Sequence, residues 1–292
     1  MSDFVLRLKK KYSLHIIFVF IVLVGYITIQ SFNLLRPAVL TVAFLDVGQG
    51  DAIWIQAPNG KELLVDTGPG QAVVTELAKL KNFFDRTIDM VLLTHTDSDH
   101  IGGVPEVFKR YHVPLVVTSE VSSPTLIHKT SQEFIQQEKS NRLIARMGER
   151  IILDSRSGVV VDILFPDYST ENWETNEASI IIKVTYGDIS FLLTGDAPTE
   201  VEDYLVNSYG DQLRSTVLKL GHHGSKTSTS ARFLETVQPE IAIVSAGLGN
   251  RYGHPSPEVV ERITETDKVL LETSRIGTII CTSDAKRIFC NQ

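Results

Sequence analysis

Apolar positions divide the chain into two parts. Residues 14–35 are apolar on nearly every face, with an unbroken stretch at residues 16–29 (IIFVFIVLVGYITI). About 20 such residues at ~1.5 Å each cover the ~30 Å core of a bilayer, so the pattern predicts a transmembrane helix. A buried core helix and a cleaved signal peptide are the alternatives. Residues 28–32 hold no small-x-small cleavage site, which favours an uncleaved signal anchor.

The charges before this segment predict its orientation. Arg7, Lys9, Lys10 and Lys11 precede it, and basic residues beside a transmembrane helix stay in the cytoplasm. The sequence therefore predicts a single-pass protein of the cell membrane. We expect a cytoplasmic basic segment at residues 1–13, a transmembrane signal anchor at residues 14–35 and an extracytoplasmic catalytic domain at residues 38–292.

Beyond Pro37, short β-rich runs alternate with helical patterns. Strands are predicted at residues 39–47, 52–56, 62–65, 88–94, 159–164, 179–185, 189–193, 216–220, 241–245 and 268–271. The first three are predicted to be antiparallel, because Pro58-Asn59-Gly60 is a strong turn signal. Helices are predicted at residues 71–84, from Gly102-Gly103 onward, and at 199–209, 230–237 and 257–264. The first helix has its apolar face at Val74, Leu77, Leu80 and Phe83. This interleaving predicts a layered α/β sandwich.

Composition and charge narrow the class of protein. With 43% apolar and 22% charged residues the chain is globular, and its two cysteines exclude a disulfide scaffold or a four-thiolate zinc cluster. The net charge is −7; residues 1–37 carry +4, so the remainder carries −11. Such an acidic body argues against holding a long nucleic acid by counterion release alone. It does not exclude a nucleic-acid enzyme that uses a metal.

Candidate metal ligands follow the predicted strand at residues 88–94. The string HTDSDH brings His95, Asp97, Asp99 and His100 within six residues. A loop at a strand end can direct imidazoles and carboxylates to one point, and Zn²⁺ or Mn²⁺ accepts such mixed ligands. The alternative is a solvated polar loop with capping aspartates.

Three more candidates follow later strands. Asp196 ends the 189–193 strand in LLTGD, where it presents a carboxylate at the sheet edge or caps the next helix. His222 and His223 lie between glycines in GHHGS, which leaves both imidazoles accessible. His254 follows in YGHPSP.

Six strings occur in one order along the chain: FLDVGQGD (44–51), LLVDTG (63–68), THTDSDHIGG (94–103), FLLTGD (191–196), LKLGHHGS (218–225) and YGHPSPEV (252–259). This order resembles the metallo-β-lactamase superfamily, and more narrowly the hydrolase domain attached to the ComEC/Rec2 competence DNA-uptake channel proteins. The resemblance implies an αββα sandwich. It also implies a site for one or two ions, Zn²⁺ or Mn²⁺, along the open edge between the sheets.

The resemblance also assigns roles to individual residues. It implies that Asp196 bridges two ions, that Asp99 and His100 bind the second ion, and that His95 binds the first. Asp97 stands where the superfamily usually has a second histidine. The remaining implied ligands are His223 or His222, and His254. Supporting positions beside the ligands are implied for Asp66 and Asn176; the superfamily's intermediate histidine has no match here. Asp46, Gln49 and Asp51 are candidates to organise the same edge, and a plain turn is the alternative for them.

Residues next to the paired histidines are candidates for substrate binding. Ser225 and Lys226 offer a hydroxyl and a cation that suit a phosphate oxygen. The alternative is that residues 225–228 cap the following helix. For catalysis, Asp97 or Asp99 is placed to accept a proton from water, and Lys226 to stabilise developing charge.

The sequence therefore predicts a membrane-anchored, metal-dependent hydrolase that cleaves phosphodiesters, with a nuclease role in DNA uptake or degradation. Within enzymology the alternatives are a cell-wall or lipid phosphoester such as phosphorylcholine, or a carboxylic ester or lactam. A further alternative is a metal-poor accessory protein that binds DNA without cutting it. One predicted helix cannot form a pore, and the oligomeric state is not indicated.

The two cysteines lie in a predicted hairpin. Residues 278–281 and 287–290 are expected to pair around a turn at 284–286. A register that places Cys281 opposite Cys290 allows a disulfide in an oxidising compartment, whereas a slip of one residue separates them. Two half-buried free thiols are the alternative.

Overall fold

A computed structural model describes residues 15–28 and 38–291 of the chain. The chain divides into two units, Met1–Ala38 and Val39–Gln292. In the first unit, residues 15–28 form helix α1. Among the residues that the structure describes, no helix has the length and apolarity needed to span a bilayer. The predicted basic segment at residues 1–13 lies outside the described residues, and the predicted anchor at 14–35 lies partly outside them.

The second unit contains fifteen strands and eight α-helices in its described part. The strands are β1 (Leu40–Phe44), β2 (Ile53–Gln56), β3 (Glu62–Val65), β4 (Met90–Leu93), β5 (Leu115–Thr118), β6 (Asn141–Ile144), β7 (Arg150–Asp154), β8 (Val159–Phe165), β9 (Ile181–Tyr186), β10 (Ile189–Leu193), β11 (Val217–Lys219), β12 (Ile241–Val244), β13 (Val269–Glu272), β14 (Ile279–Ser283) and β15 (Ile288–Cys290). The helices are α2 (Ala72–Leu80), α3 (Ser98–Ile101), α4 (Val104–Arg110), α5 (Leu126–Glu138), α6 (Thr199–Tyr209), α7 (Ala231–Val237), α8 (Pro257–Thr264) and α9 (Thr273–Ile276). Two short 3₁₀ segments lie at Gly210–Leu213 and Gly221–Gly224.

The strands form two sheets. The first has the order β15-β14-β1-β2-β3-β4-β5-β6 and the second the order β13-β12-β11-β10-β9-β8-β7. Strands β1, β2 and β3 pair antiparallel as predicted. The pairs β3·β4 and β10·β11 are parallel, so their carboxyl ends lie at the same edge of each sheet.

Three apolar layers hold the sheets and helices together. Phe44 and Phe191 belong to the core between the two sheets. Leu77 of α2, with residues of α4 and α5, packs on the outer face of the first sheet. Phe233 of α7, with residues of α6 and α8, covers the second sheet. Alternate strand residues therefore face different layers, and the αββα sandwich expected from the sequence is confirmed.

The predicted helix at residues 71–84 is too long. Helix α2 ends at Leu80 because Lys81 adopts an extended backbone. The Lys81 side chain is buried and donates to Glu62 and to the carbonyl of Thr87. Phe83, predicted on the apolar face, is 69% exposed. The helix therefore ends where the Lys81 side chain turns into the core, and Phe83 lies outside the helix, exposed to solvent.

The predicted polar loop at residues 95–100 is partly helical. Helix α3 begins at Ser98, so His100 projects from a helical turn instead of a loop. The helix expected from Gly102-Gly103 begins at Val104. A Cβ at Gly103 would lie 2.2 Å from the Thr67 carbonyl oxygen, so glycine allows the chain after α3 to pack against the loop after β3.

The two cysteines are joined in a disulfide. Strands β14 and β15 pair antiparallel with Cys281 directly opposite Cys290, and the two sulfurs are bonded. Of the alternatives that the sequence leaves open, the structure has the aligned register. The disulfide closes the carboxyl-terminal hairpin at the edge of the first sheet.

Candidate metal centre

Loops from both sheets converge at one edge of the sandwich. Asp66 follows β3, His100 lies in the turn after β4, Asp196 follows β10 and His223 follows β11. Because parallel strands end at the same edge, these loops meet between the two sheets.

Four buried residues form the centre of this edge. One ligand atom from each of Asp51, His100, Asp196 and His223 lies within 4.8 Å of the others. His100 Nε2 is 3.2 Å from Asp196 Oδ1, and His223 Nε2 is 3.4 Å from Asp196 Oδ2. The structure thus brings together three of the residues that the sequence singles out. The fourth, Asp51, is not among the ligands that the sequence predicts.

The polar atoms at this edge have the chemistry of a metal site. Five buried atoms lack an aligned hydrogen-bond partner among the described residues: Nε2 of His95, His100 and His223, and Oδ1 of Asp51 and Asp196. Buried polar atoms are normally hydrogen-bonded. Unpartnered imidazole nitrogens and carboxylate oxygens gathered in one place are the ligands that zinc or manganese uses. The residues present therefore fit a divalent cation.

Asp66 orients the His100 ring through the ring nitrogen that faces away from the centre. Its carboxylate accepts the backbone N–H of Thr94 at 2.8 Å and the Thr94 hydroxyl at 2.6 Å. His100 Nδ1 lies 2.7 Å from Asp66 Oδ2, the oxygen that also accepts the Thr94 hydroxyl. Because a carboxylate can only accept, Nδ1 carries the proton and Nε2 keeps a lone pair for a cation.

His223 is held in a similar way, by a backbone carbonyl. Its Nδ1 lies 3.0 Å from the Ser245 carbonyl oxygen, so Nδ1 donates and Nε2 faces the centre. His222, its neighbour, is half-buried at the rim, with Nε2 3.8 Å from Asp196 Oδ2. Both histidines have positive φ. The tight turn therefore directs His223 inward and leaves His222 at the opening.

The electrostatic field of the centre favours positive charge. Burial by itself lowers the pKa of His100, but Asp196 and Asp66 raise that pKa well above its usual value. Burial likewise opposes protonation of His223, and Asp196 and Asp51 raise its pKa to about 9. Burial raises the pKa of Asp196, yet His223 and His100 hold it well below the ordinary range. A bound cation would replace these protons.

The candidate ligands that the resemblance implies for two ions differ in how deeply they are buried. Asp99 Oδ2 lies 3.3 Å from His223 Nε2, so Asp99 joins the buried group around Asp196. On the other side, the His95 ring lies 4.1 Å from the His100 ring, and Asp97 Oδ2 is 3.9 Å from His95 Nε2. The Asp97 side chain is 41% exposed. The Asp99 side chain is 28% exposed, so the position beside Asp99 is less open than the one beside Asp97.

A family model matches most of the chain. The family model for the metallo-beta-lactamase superfamily matches residues 45–247. The chain belongs to the metallo-beta-lactamase superfamily. It is a metal-dependent hydrolase of that superfamily and is related to competence proteins.

Two curated relatives and one solved structure illustrate the relationship. "ComE operon protein 3" of Bacillus subtilis is 29% identical over 82% of this chain and 32% of its own length. "Competence protein ComA" of Neisseria gonorrhoeae is 34% identical over 82% of this chain and 31% of its own length. The chain thus spans about a third of these relatives. Igni18, a metallo hydrolase from Ignicoccus hospitalis, has the same fold, with a TM-score of 0.52 and 14% sequence identity. The match covers 83% of this chain and 98% of the Igni18 chain.

Other residues that the superfamily resemblance implies lie around the centre. The His254 ring is 5.5 Å from the His222 ring, at the rim. The Asn176 carbonyl accepts the N–H of Ser179, whose hydroxyl accepts the N–H of Asp196 at 3.2 Å, so Asn176 is one step removed. Asp46 accepts the N–H of Gly48 and thereby shapes the loop before Asp51.

The residues after the paired histidines do not cap a helix. Helix α7 has Ser230 as its N-cap, which accepts the N–H of Phe233, so the capping alternative for residues 225–228 is wrong. The Ser225 hydroxyl lies 3.0 Å from the Thr227 hydroxyl within its own turn. Lys226 is exposed and forms no ion pair with any described carboxylate. Its ammonium is free to meet an anion at the opening.

Sequence reasoning missed Lys219, and it placed Asp51 beside the site without including it among the ligands. Lys219 Nζ lies 2.7 Å from Asp51 Oδ2, with both side chains buried. A Cβ at Gly50 would lie 2.1 Å from the Asp99 carbonyl oxygen, so the glycine brings Asp51 against the HTDSDH turn. The available signal was a lysine inside an otherwise apolar strand, because a buried lysine requires a partner.

Proposed function

We propose that this metallo-beta-lactamase homologue hydrolyses phosphodiesters and that nucleic acid is its substrate. The observation that carries the proposal is the buried group of Asp51, His100, Asp196 and His223, whose unpartnered ligand atoms face one space. One relative, from Neisseria gonorrhoeae, is named a competence protein, which favours nucleic acid as the substrate.

The chain's own residues have distinct tasks in this proposal. Asp99, His100, Asp196 and His223, with Asp51 in the same buried group, would hold one divalent ion, and His95 with Asp97 would bind a second more loosely. A bound ion supplies a water of lowered pKa and neutralises charge on a phosphoryl oxygen. Asp97 lies at the opening and accepts the proton of the attacking water.

Substrate binding relies on a few contacts at the opening. Residues 38–292 carry a charge of −11, so a broad basic surface is not available to bind a nucleic acid. Lys226 is exposed beside the histidine turn and pairs with a non-bridging phosphate oxygen. The Ser225 hydroxyl forms a hydrogen bond with the Thr227 hydroxyl and so positions the Thr227 side chain in the same turn. No serine or cysteine nucleophile is needed, because the attacking group is water.

The test combines activity with metal content. The full chain in detergent is incubated with an aryl phosphodiester and with oligonucleotides, in the presence of Mn²⁺ or Zn²⁺. We expect Asp99→Ala and His223→Ala to lose hydrolysis by about a hundredfold or more and to retain less metal. His112→Ala is the matched control, because its ring is exposed and pairs with Glu138 away from the centre. Unchanged turnover in His223→Ala would overturn the mechanism. Metal-free protein that binds DNA tightly would favour the accessory role.

We further propose that residues 14–35 anchor the protein and that the domain at residues 38–292 lies outside the cytoplasm, with residues 1–13 inside. The basic cluster before the apolar segment supports this orientation. The disulfide between Cys281 and Cys290 also supports it, because structural disulfides persist in oxidising compartments. Protease added to intact cells should remove the domain; its survival there, with digestion after lysis, would reverse the orientation.

A further inference from the structure

The loop at residues 247–254 joins β12 to α8 and is held rigidly at the rim of the metal centre. The Asn250 side chain fixes the loop: its amide donates to the carbonyls of Gly247 and His254. Its carbonyl oxygen accepts the N–H of Tyr252 at 3.1 Å and that of His254 at 3.0 Å. The N–H of Gly247 donates to Gln49 Oε1 at 3.2 Å. The Asn250 side chain therefore makes four hydrogen bonds to the backbone of three residues of the loop.

The tip of this loop presents apolar and aromatic side chains to solvent. Leu248 is 86% exposed and Tyr252 is 54% exposed. Since Asn250 and the backbone hold the loop, neither side chain is needed to stabilise it. Exposing such residues on a rigid loop costs solvation free energy unless something binds to them.

The aromatic surface leads directly to the metal centre. The Tyr252 ring stacks on the His254 ring, with 5.8 Å between centroids and 22° between planes. The His254 ring in turn lies 6.5 Å from the ring of His223. The Arg251 guanidinium is 4.8 Å from the Tyr252 ring and forms no ion pair with a carboxylate in the described part of the chain.

We propose that the 247–254 loop binds an unpaired nucleobase adjacent to the phosphodiester at the metal centre, so that the substrate class is single-stranded nucleic acid. The base stacks on the Tyr252 face that Arg251 covers in this structure and contacts Leu248, and the displaced Arg251 guanidinium contacts the neighbouring phosphate. This inference rests on the proposed function and narrows it.

Two physical arguments favour a single strand over a duplex. The faces of paired bases are covered by their neighbours, so an aromatic side chain can stack only on a base that is splayed out. Stacking also requires no array of cations, which agrees with the acidic charge of residues 38–292. A duplex binder of this charge would need a basic face to contact both backbones.

The experiment separates base binding from hydrolysis. Full-length protein in detergent, with chelator present so that no strand is cut, is titrated into three fluorescein-labelled probes: an oligothymidine, the same strand in a duplex, and an abasic strand of equal length. Anisotropy reports binding. Variants are Tyr252→Ala, Leu248→Ser and Tyr252→Phe. Phe84→Ala is the control, because Phe84 is an exposed aromatic residue that precedes β4, at the end of the strand opposite His95.

The proposal predicts the following results. Wild type binds the oligothymidine more tightly than the duplex or the abasic strand. Tyr252→Ala weakens oligothymidine binding about tenfold, Leu248→Ser weakens it less, and Tyr252→Phe and Phe84→Ala leave it unchanged. Binding of the abasic strand does not respond to Tyr252→Ala.

Other outcomes overturn it. Equal affinity of wild type and Tyr252→Ala for the oligothymidine, or a preference for the duplex, removes the base-binding role even if the metal-loaded enzyme cuts DNA. Conversely, if wild type cuts no phosphodiester with Mn²⁺ or Zn²⁺ but shows the Tyr252-dependent preference, the proposed hydrolysis fails and the base-binding loop stands.

Discussion

Lys219 Nζ lies 2.7 Å from Asp51 Oδ2 at the inner end of the metal centre, and both side chains are buried. Lys219 also donates to the Leu220 carbonyl oxygen at 2.9 Å. Burial raises the pKa of Asp51, but Lys219 and His223 lower it well below its ordinary value. Asp51 Oδ1 lies 3.4 Å from His223 Nδ1. A buried ion pair therefore supports the histidine that faces the centre.

Breaking this ion pair from one side should destabilise the fold. Lys219→Met leaves the Asp51 carboxylate buried without its cation, so we expect a loss of about 3–5 kcal/mol in the free energy of unfolding. The double variant Lys219→Met with Asp51→Asn should lose clearly less, because no buried charge is left unpaired. Urea unfolding followed by circular dichroism measures both. A double variant as unstable as the single one would contradict the assigned charge pair.

Asp66 should control metal affinity through its contact with His100. Asp66→Asn keeps an acceptor for the Thr94 N–H, and asparagine tolerates the φ of 56° at this position. Its amide nitrogen cannot accept from His100 Nδ1, so the imidazole loses its orientation. We expect about 10- to 100-fold weaker binding of Mn²⁺ or Zn²⁺ by calorimetry.

The control for this change is Asp46→Asn. Asp46 accepts the N–H of Gly48, a bond that asparagine can also accept, so metal affinity should stay near that of wild type. If Asp66→Asn binds metal as tightly as Asp46→Asn does, His100 does not depend on Asp66 for its orientation.

Sequence patterns predicted the elements whose periodicity is strong. Strand β10 and helices α6 and α8 have the bounds expected, since their apolar spacing is regular. Helix α5 was not predicted, because Ser131 and Ile135 are its only fully buried residues and most of its other residues are polar. Its contribution to packing depends on α4 and the first sheet, which local spacing does not reveal.

The same distinction applies to the metal centre. His95, His100 and Asp196 could be singled out because polar residues at strand ends face a shared edge. The choice between His222 and His223 could not be made, because both are flanked by glycine and the backbone of the turn decides which ring points inward. The role of Asp51 required its partner Lys219, which belongs to the other sheet.

The disulfide should contribute to the stability of the carboxyl-terminal hairpin. Cys281 and Cys290 are nine residues apart in sequence, and closing a loop of this size is worth about 2–3 kcal/mol. We expect Cys281→Ser with Cys290→Ser to lower the free energy of unfolding by that amount. Wild type treated with reductant should show the same loss, whereas the double variant should not respond to reductant. Mass spectrometry before and after reduction counts the thiols.

Asp154 should make the free energy of unfolding depend on pH in the acid range. It accepts the Ser157 hydroxyl at 2.6 Å and the Arg156 N–H at 2.9 Å in the turn between β7 and β8. Burial raises its pKa, but these hydrogen bonds outweigh burial and the pKa is lowered. Because the folded pKa is below the unfolded one, the carboxylate stabilises the fold fully above about pH 4. That contribution is lost as the pH falls through the folded pKa.

Replacing Asp154 by asparagine tests this dependence. We expect Asp154→Asn to lower the free energy of unfolding by about 1–2 kcal/mol near neutral pH, because the amide nitrogen cannot accept the Ser157 hydroxyl. The difference from wild type should shrink below about pH 4, where the carboxyl of the unfolded chain takes up a proton, and should disappear as the pH falls through the lower folded pKa. Asp211→Asn, at an exposed position paired with Arg214, should change stability little at any pH. Urea titrations across this range measure all three proteins; a difference that persists unchanged in acid would show that the Asp154 charge does not stabilise the turn.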